Sequence, residues 1–218
     1  TNTLRTSRHE LIKELQAAGA VAETSAWTPE GVIITKHGAL DKLTALQEGL
    51  CQVQDESSML VAHVLDPKPD EFIIDCCSAP GGKTTHIASL MQDKGRIMAS
   101  DIYEHKLARI EENAARLGIS SIETELLDAR KIGEEYREMA DRVLVDAPCS
   151  GLGVLRRKPD ARWNKSAAEI AALPALQLEI LASAAKALKS GGVLVYSTCT
   201  IEASENKQVV TEFLAQHK

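Results

Sequence analysis

Hydrophobic and polar positions divide the chain into short apolar runs separated by stretches of helical period. Phe72-Ile-Ile74 has charge before it and small residues after it, the pattern of a buried strand. Ala79-Pro-Gly-Gly82 predicts a turn, because Pro fixes one torsion and Gly admits torsions closed to other residues. From Lys83 the period is helical. The alternation then repeats: strands over 95–100, 122–127, 142–145 and 193–196, with helices over 103–117, 174–189 and from about Glu202. Leu107, Ile110, Ala114 and Leu117 share one face of the 103–117 helix, which Gly118 ends. Strands alternating with helices imply an α/β fold, a doubly wound and mostly parallel sheet with helices on both faces.

Ahead of this lies a smaller unit. Leu11, Ile12, Leu15 and Ala18 recur at helical spacing after a start at Thr6–Glu10. Val21–Trp27 and Gly31–Thr35 then read as strands around the Thr28-Pro-Glu-Gly31 turn. A helix is predicted from about Asp55 to Leu65, capped by Asp55 or Ser57 and stopped by Pro67. The two units are expected over 1–45 and 46–218. The first is a small α/β module, either an RNA-facing appendage or an N-terminal brace.

With 218 residues and 44% apolar side chains, the chain can bury roughly 70% of its unfolded surface. No apolar run approaches the roughly 20 residues of a membrane span, so no membrane association is expected. No basic-then-apolar leader opens the chain at Thr1. Five cysteines, an odd count without CxxC spacing, argue against a disulfide framework and a zinc site, so no metal is expected and a reducing cytoplasm is the simplest setting. The net charge of −6 does not suggest a nucleic-acid binder, but Arg156–Lys165 carries five basic residues against one acidic, with Trp163 among them. Such a cluster is either a solvated loop or an RNA backbone contact.

The predicted sheet brings Asp75, Asp101, Asp128, Asp146 and the Cys199 segment to one rim, where open α/β folds bind ligands. A single strand-terminal Asp is more often a cap or turn former; several at one edge suggest a site. Ser78–Gly82 is not GxGxxG, which weakens NAD binding. Gly82-Lys-Thr84 matches the end of a P-loop, but the first Gly of that pattern falls on Cys77, and Pro80 removes a backbone donor from any phosphate cradle. S-adenosylmethionine has no phosphates. Close backbone approach at Ala79–Gly82 suits its amino-acid part, Asp101 its ribose, and Asp128 the vicinity of its adenine.

Cys51, Cys76 and Cys77 read as buried fillers. Cys149 lies in an irregular Pro/Gly loop, and Cys199 stands past a strand and before a helix whose dipole is expected to favour its thiolate. Asp75-Cys-Cys-Ser-Ala-Pro-Gly-Gly-Lys83, Asp146-Ala-Pro-Cys-Ser-Gly151 and Tyr196-Ser-Thr-Cys-Thr200, in that order, resemble the RNA (cytosine-5)-methyltransferases of the NOL/NOP/Sun family, nearest the bacterial Sun/Fmu type acting on 16S ribosomal RNA. Gln54-Asp-Glu-Ser-Ser58 is similar to a segment that family carries before its core.

The resemblance implies a class I, Rossmann-like, S-adenosylmethionine-dependent methyltransferase, monomeric and cytoplasmic, acting on cytosine carbon-5 in structured RNA such as 16S rRNA. It implies Cys199 as nucleophile and Cys149 as the residue assisting release of methylated RNA. Asp146 would contact the flipped cytosine, the cofactor's neighbourhood, or both. Cofactor contacts carry over to Cys77, Ser78, Ala79, Pro80, Gly81, Gly82 and Lys83, and to Asp101, Asp128 and Asp146. Cys76 and Ser78 stand where relatives often carry Leu and Ala, a mild departure. Relatives continue through two further strands past the position of Lys218, so the catalytic unit is expected to be truncated there, and some carry an upstream helical RNA-binding domain. A non-catalytic RNA- or cofactor-binding protein of this fold, and a P-loop NTPase, are the competing readings.

Overall fold

A computed structural model describes residues 1–157, 159 and 166–217. Helix α1 (Arg8–Ala17) opens on a capping box. Ser7 Oγ accepts the Glu10 N–H at 3.2 Å, and the Glu10 carboxylate accepts the Ser7 N–H at 3.1 Å. Strands β1 (Val21–Thr24) and β2 (Val32–Lys36) pair antiparallel, and α2 (Thr44–Gln47) follows. Leu11, Leu15, Ala20, Ala22, Leu43 and Ala45 form their common core, with Leu50 and Cys51 packed against it.

Helix α3 (Glu56–Leu65) begins where Asp55 accepts the Ser57 N–H, and ends in left-handed Asp66 before Pro67. Strand β3 (Phe72–Asp75) leads into α4 (Gly82–Leu90), β4 (Arg96–Asp101) into α5 (Glu104–Leu117), and β5 (Ile122–Leu126) into α6 (Ile132–Glu135). Then come β6 (Ala140–Asp146), α7 (Ala167–Ala187), β7 (Leu188–Ser197) and α8 (Lys207–Gln216). Strands β3 to β7 form one parallel sheet in the order β5-β4-β3-β6-β7. The doubly wound sheet and the small N-terminal antiparallel module are as the alternation predicts.

Strand period fixes which side chains face which layer. Ile74, Met98, Val143 and Val145 meet Ile180 and Leu181 of α7 on one face. Ile73, Ile97 and Leu144 meet Leu65 of α3, Ile87 of α4 and Met91 just past its end on the other. Each such fully buried side chain contributes about 1.5–3 kcal/mol. The N-terminal module is fastened to this body by Asn2, whose Nδ2 donates to the carbonyls of Gly49 and Leu117, both at 2.8 Å.

Strand β1 stops at Thr24 rather than Trp27, the short helices α2 and α6 are not among the expected elements, and three further elements depart more widely from the sequence-based expectation. Helix α7 begins at Ala167, not Pro174, because Ser166 and Glu169 form a second capping box; Pro174 lies inside the helix. At 21 residues α7 is long and apolar enough by composition to match a bilayer, a length the expected 174–189 segment concealed. Its Gln177 and Ser183 are buried and hydrogen-bonded within the protein, and its Ile180 and Leu181 pack on the sheet.

Strand β7 starts at Leu188 and takes Gly191 and Gly192 into an irregular stretch beside Ala140–Arg142. Gly191 has φ +83, and a Cβ at Gly192 would stand 2.9 Å from the Asp141 carbonyl oxygen, so both positions suit glycine. Helix α8 begins at Lys207, not Glu202. Asn206 Nδ2 donates to the carbonyls of Thr200 and Glu202, both at 3.0 Å, and Glu205 turns inward, so 201–206 is a tied turn.

Candidate active site

The sheet order reverses between β3 and β6, and the carboxyl ends of β3, β4, β6 and β7 surround that switch point. Asp75 ends β3. Its Oδ2 accepts the Thr84 hydroxyl at 2.8 Å, while its Oδ1 is buried without a hydrogen-bond partner. Burial pushes its carboxyl up to about 7; the Asp146 charge adds to the rise, against the Thr84 bond and the Lys83 charge. The turn after it is anchored by Ser78, whose N–H and Oγ both donate to the Ser100 carbonyl at 3.0 Å. Gly81 has φ +96, and a Cβ there would stand 3.2 Å from Ile110. A Cβ at Gly82 would meet nothing nearer than Gln54 Nε2 at 4.0 Å, so the backbone before α4 is open to close approach. Gln54 Nε2 is itself buried and unpartnered.

Asp101 ends β4 and is 7% exposed; its Oδ1 accepts the Tyr103 N–H at 3.1 Å and stands 3.4 Å from Lys106 Nζ. Asp128 lies past β5, where it caps the turn at 129–131 and its carboxylate bonds Arg130 through backbone and guanidinium. Like Asp101, it accepts the N–H two residues on, the turn-forming role common for an Asp at or just past a strand end. Its carboxyl is held low, first by the Arg130 bond.

Parallel pairing of β6 and β7 sets Asp146 opposite Ser197, so Cys149 and Cys199 follow the same register pair by three and two residues. The result is close convergence. Cys149 Sγ lies 3.3 Å from Cys199 Sγ, and the Cys199 N–H points to Cys149 Sγ at 3.4 Å. Beside them, Lys83 Nζ donates to Asp146 Oδ2 at 2.6 Å and Ser197 Oγ to Asp146 Oδ1 at 2.7 Å.

Cys199 is the more exposed residue of the two. The Cys149 thiol bond brings the Cys199 pKa down to about 6, with help from the Lys83 charge and against burial and the Asp146 charge. Cys149 is correspondingly pushed up, first by that same bond and then by burial. Helix α8 starts eight residues past Cys199, so the expected helix-dipole activation gives way to the neighbouring thiol and Lys83. Iodoacetamide should alkylate Cys199 at a rate that climbs through pH 6 and is flat above pH 7. A rate still rising near pH 8.5, as for a free thiol, would contradict this activation.

Sequence reasoning missed the support behind the thiols. Glu205 is fully buried, and its Oε2 accepts the Ser150 N–H at 2.8 Å and Gln177 Nε2 at 3.1 Å. Gln177 Nε2 also donates to the Pro148 carbonyl at 2.9 Å, and the Ser150 and Thr200 hydroxyls meet at 2.6 Å. A Cβ at Gly153 would stand 2.8 Å from the Cys199 carbonyl oxygen. These contacts lock the two cysteine loops together. Nothing in the spacing of an acid after a strand announces that its carboxylate is turned inward.

Of the basic segment, Lys158 and residues 160–165, Trp163 included, lie outside the described residues. Arg157 pairs with Asp55, and with Arg156 it lines a cavity of about 720 Å³ between the N-terminal hairpin and α3–α4.

The switch-point turn, the acids at the strand ends and the β5-β4-β3-β6-β7 order define the class I S-adenosylmethionine-dependent methyltransferase fold. Residues 62–218 match the family model described as 16S rRNA methyltransferase RsmB/F, and the chain belongs to that family. It is 46% identical over 217 residues to the probable ribosomal RNA small subunit methyltransferase B of Bacillus subtilis, covering 99% of this chain and 48% of that protein. It superposes with a TM-score of 0.95 on the crystal structure of PH0851, at 39% identity over 100% of this chain and 49% of that one. The crystal structure of NSun6 from Pyrococcus horikoshii with SFG gives a TM-score of 0.90 at 29% identity, over 99% of this chain and 78% of that one. The chain spans about half the length of the curated relatives it matches.

Proposed function

We propose that this chain carries the catalytic centre for S-adenosylmethionine-dependent methylation of a cytosine carbon-5 in 16S ribosomal RNA, with Cys199 as nucleophile. The observation carrying this reading is the 3.3 Å approach of two thiols beside the Lys83–Asp146 pair at the ligand-binding edge of the sheet. A non-catalytic binder needs neither thiol, nor a lowered pKa on one of them.

The residues suit the cofactor. The open backbone at Gly82 and the unpartnered Asp75 Oδ1 and Gln54 Nε2 leave a cradle with free polar groups, and Asp101 stands where a ribose is met in such folds. We assign cofactor binding to Cys77–Lys83, Asp101, Asp128 and Asp146. Bound S-adenosylmethionine supplies the methyl group as an electrophilic carbon on sulfonium.

The protein's part starts at Cys199. Its thiolate adds to cytosine carbon-6 and makes carbon-5 nucleophilic enough to take the methyl group. Lys83 and Asp146, tied to each other and to Ser197, face the pyrimidine's polar edge and hold its orientation. Cys149 assists the last stage, in which carbon-5 loses its proton and the Cys199–carbon-6 bond breaks to restore the pyrimidine double bond. The module at 1–45 and Arg156–Lys165 serve as RNA contacts, and the catalytic unit is 46–218. A monomer in the cytoplasm is the setting this reading takes.

Incubation with 16S rRNA and S-adenosylmethionine, followed by bisulfite sequencing, is expected to reveal one newly protected cytosine. Calorimetric titration should give one S-adenosylmethionine site and no Mg-ATP site. Binding of Mg-ATP alone, or of S-adenosylmethionine with no RNA modified, would reject the assignment.

A further inference from the structure

We propose that Glu30, His63 and His86 form a binding site for one divalent transition-metal ion such as zinc, which pins the N-terminal module to the methyltransferase body. Glu30 comes from the turn between β1 and β2, His63 from α3 and His86 from α4. Glu30 Oε1 stands 2.9 Å from His63 Nε2 and 2.8 Å from His86 Nε2, and the three donor atoms lie within 4.8 Å of one another. Glu30 is 6% exposed and His86 5%, so two of the three donors are removed from water.

The contacts are not those of a finished hydrogen-bond network. His63 and Glu30 have hydrogen-bond geometry, but the close His86 contact does not, leaving both ring nitrogens of a buried histidine without a bond partner. The two imidazoles meet edge to face, at 80° with centroids 5.5 Å apart, and reach the same carboxylate oxygen. A buried carboxylate beside two imidazoles is a set that a dication satisfies in full. Two nitrogen donors favour zinc over magnesium or calcium, which take oxygen ligands.

With metal–ligand bonds of about 2.0–2.1 Å, tetrahedral donors stand about 3.4 Å apart, so the Glu30 oxygen must retreat by about half an ångström from each ring nitrogen and the two imidazoles must draw together onto the ion. The His63 side chain, 30% exposed, gives the ion a way in, and a water would complete a four-coordinate shell beside the three protein donors. Zinc-site spacing rules miss the set because its members come from three elements that only the fold brings together, and none of the three has a part in methyl transfer.

The test uses the 218-residue chain, stripped with chelator and titrated with zinc chloride by calorimetry. A double variant, Cys149→Ser with Cys199→Ser, removes the thiol pair as a rival ligand. Expected are one equivalent bound in both proteins, a zinc-dependent rise in melting temperature, and affinity reduced at least about tenfold in His63→Gln and Glu30→Gln. His63→Gln is partly exposed and keeps the fold if its circular dichroism is unchanged. Cobalt(II) in place of zinc should give ligand-field absorption without a thiolate charge-transfer band. No binding by the parent chain, binding lost with the cysteines, or binding unchanged in His63→Gln would overturn the proposal.

Discussion

Replacing Cys199 by Ala should lower methyl transfer to 16S rRNA by roughly 10⁴-fold or more while the affinity for S-adenosylmethionine stays within about twofold. Without the sulfur no adduct forms at carbon-6, and carbon-5 of an unmodified cytosine is too weak a nucleophile to take the methyl group. The fold should tolerate the change. Cys199 is exposed, and its loop is held by Gly153, Thr200 and Glu205 rather than by its own side chain. Tritium transfer from labelled cofactor, read beside a calorimetric titration, separates the two effects. Turnover within tenfold of the parent would remove Cys199 from the nucleophile's role, whereas loss of cofactor affinity as well would point to a collapsed loop.

Cys149→Ala is expected to do the reverse of inactivation at the first step and trap the enzyme on its RNA. Addition through Cys199 needs no Cys149 side chain, but release does, so a covalent protein–RNA species should accumulate to a large fraction of the enzyme. Denaturing gels report it as a band carrying both RNA label and protein. A second effect follows from the 3.3 Å sulfur contact. With its thiol donor gone, the Cys199 pKa should move up from about 6 towards the free-thiol value near 8.5, so adduct formation slows at pH 6 and recovers at higher pH. Failure to detect any adduct between pH 6 and 9 would argue against the release role. An alkylation profile of Cys199 that is unchanged in this variant would show that its activation lies elsewhere, with Lys83.

Much of this was legible from pattern because each signal is local. The Ala79–Gly82 turn, the Asp55 cap and the strand-terminal acids depend on a few neighbouring residues, and the structure has them at the expected elements. The misjudged boundaries came from competing local signals. Pro174 suggested a helix start, but the Ser166–Glu169 box lies further upstream and Pro174 is carried inside the helix. The strand expected over 193–196 begins earlier, at Leu188, because Gly191 and Gly192 form an irregularity within β7. Helix α8 begins late because the Asn206 side chain ties the turn at Thr200 and Glu202, while the Glu205 side chain is turned inward to Ser150 and Gln177.

Alternation of apolar runs and helical periods was enough by itself to determine the layered α/β class, and the three cysteine- and glycine-bearing motifs were enough to indicate the family. Tertiary structure alone decided which groups meet. Strand order sets β6 against β7, and their register brings Cys149 and Cys199 into contact across fifty positions of chain. Burial decided that Glu205 braces both loops and that Glu30 faces two histidines. Side-chain periodicity records which face of an element is apolar, but separation in space depends on how elements stack, and that is a property of the whole fold.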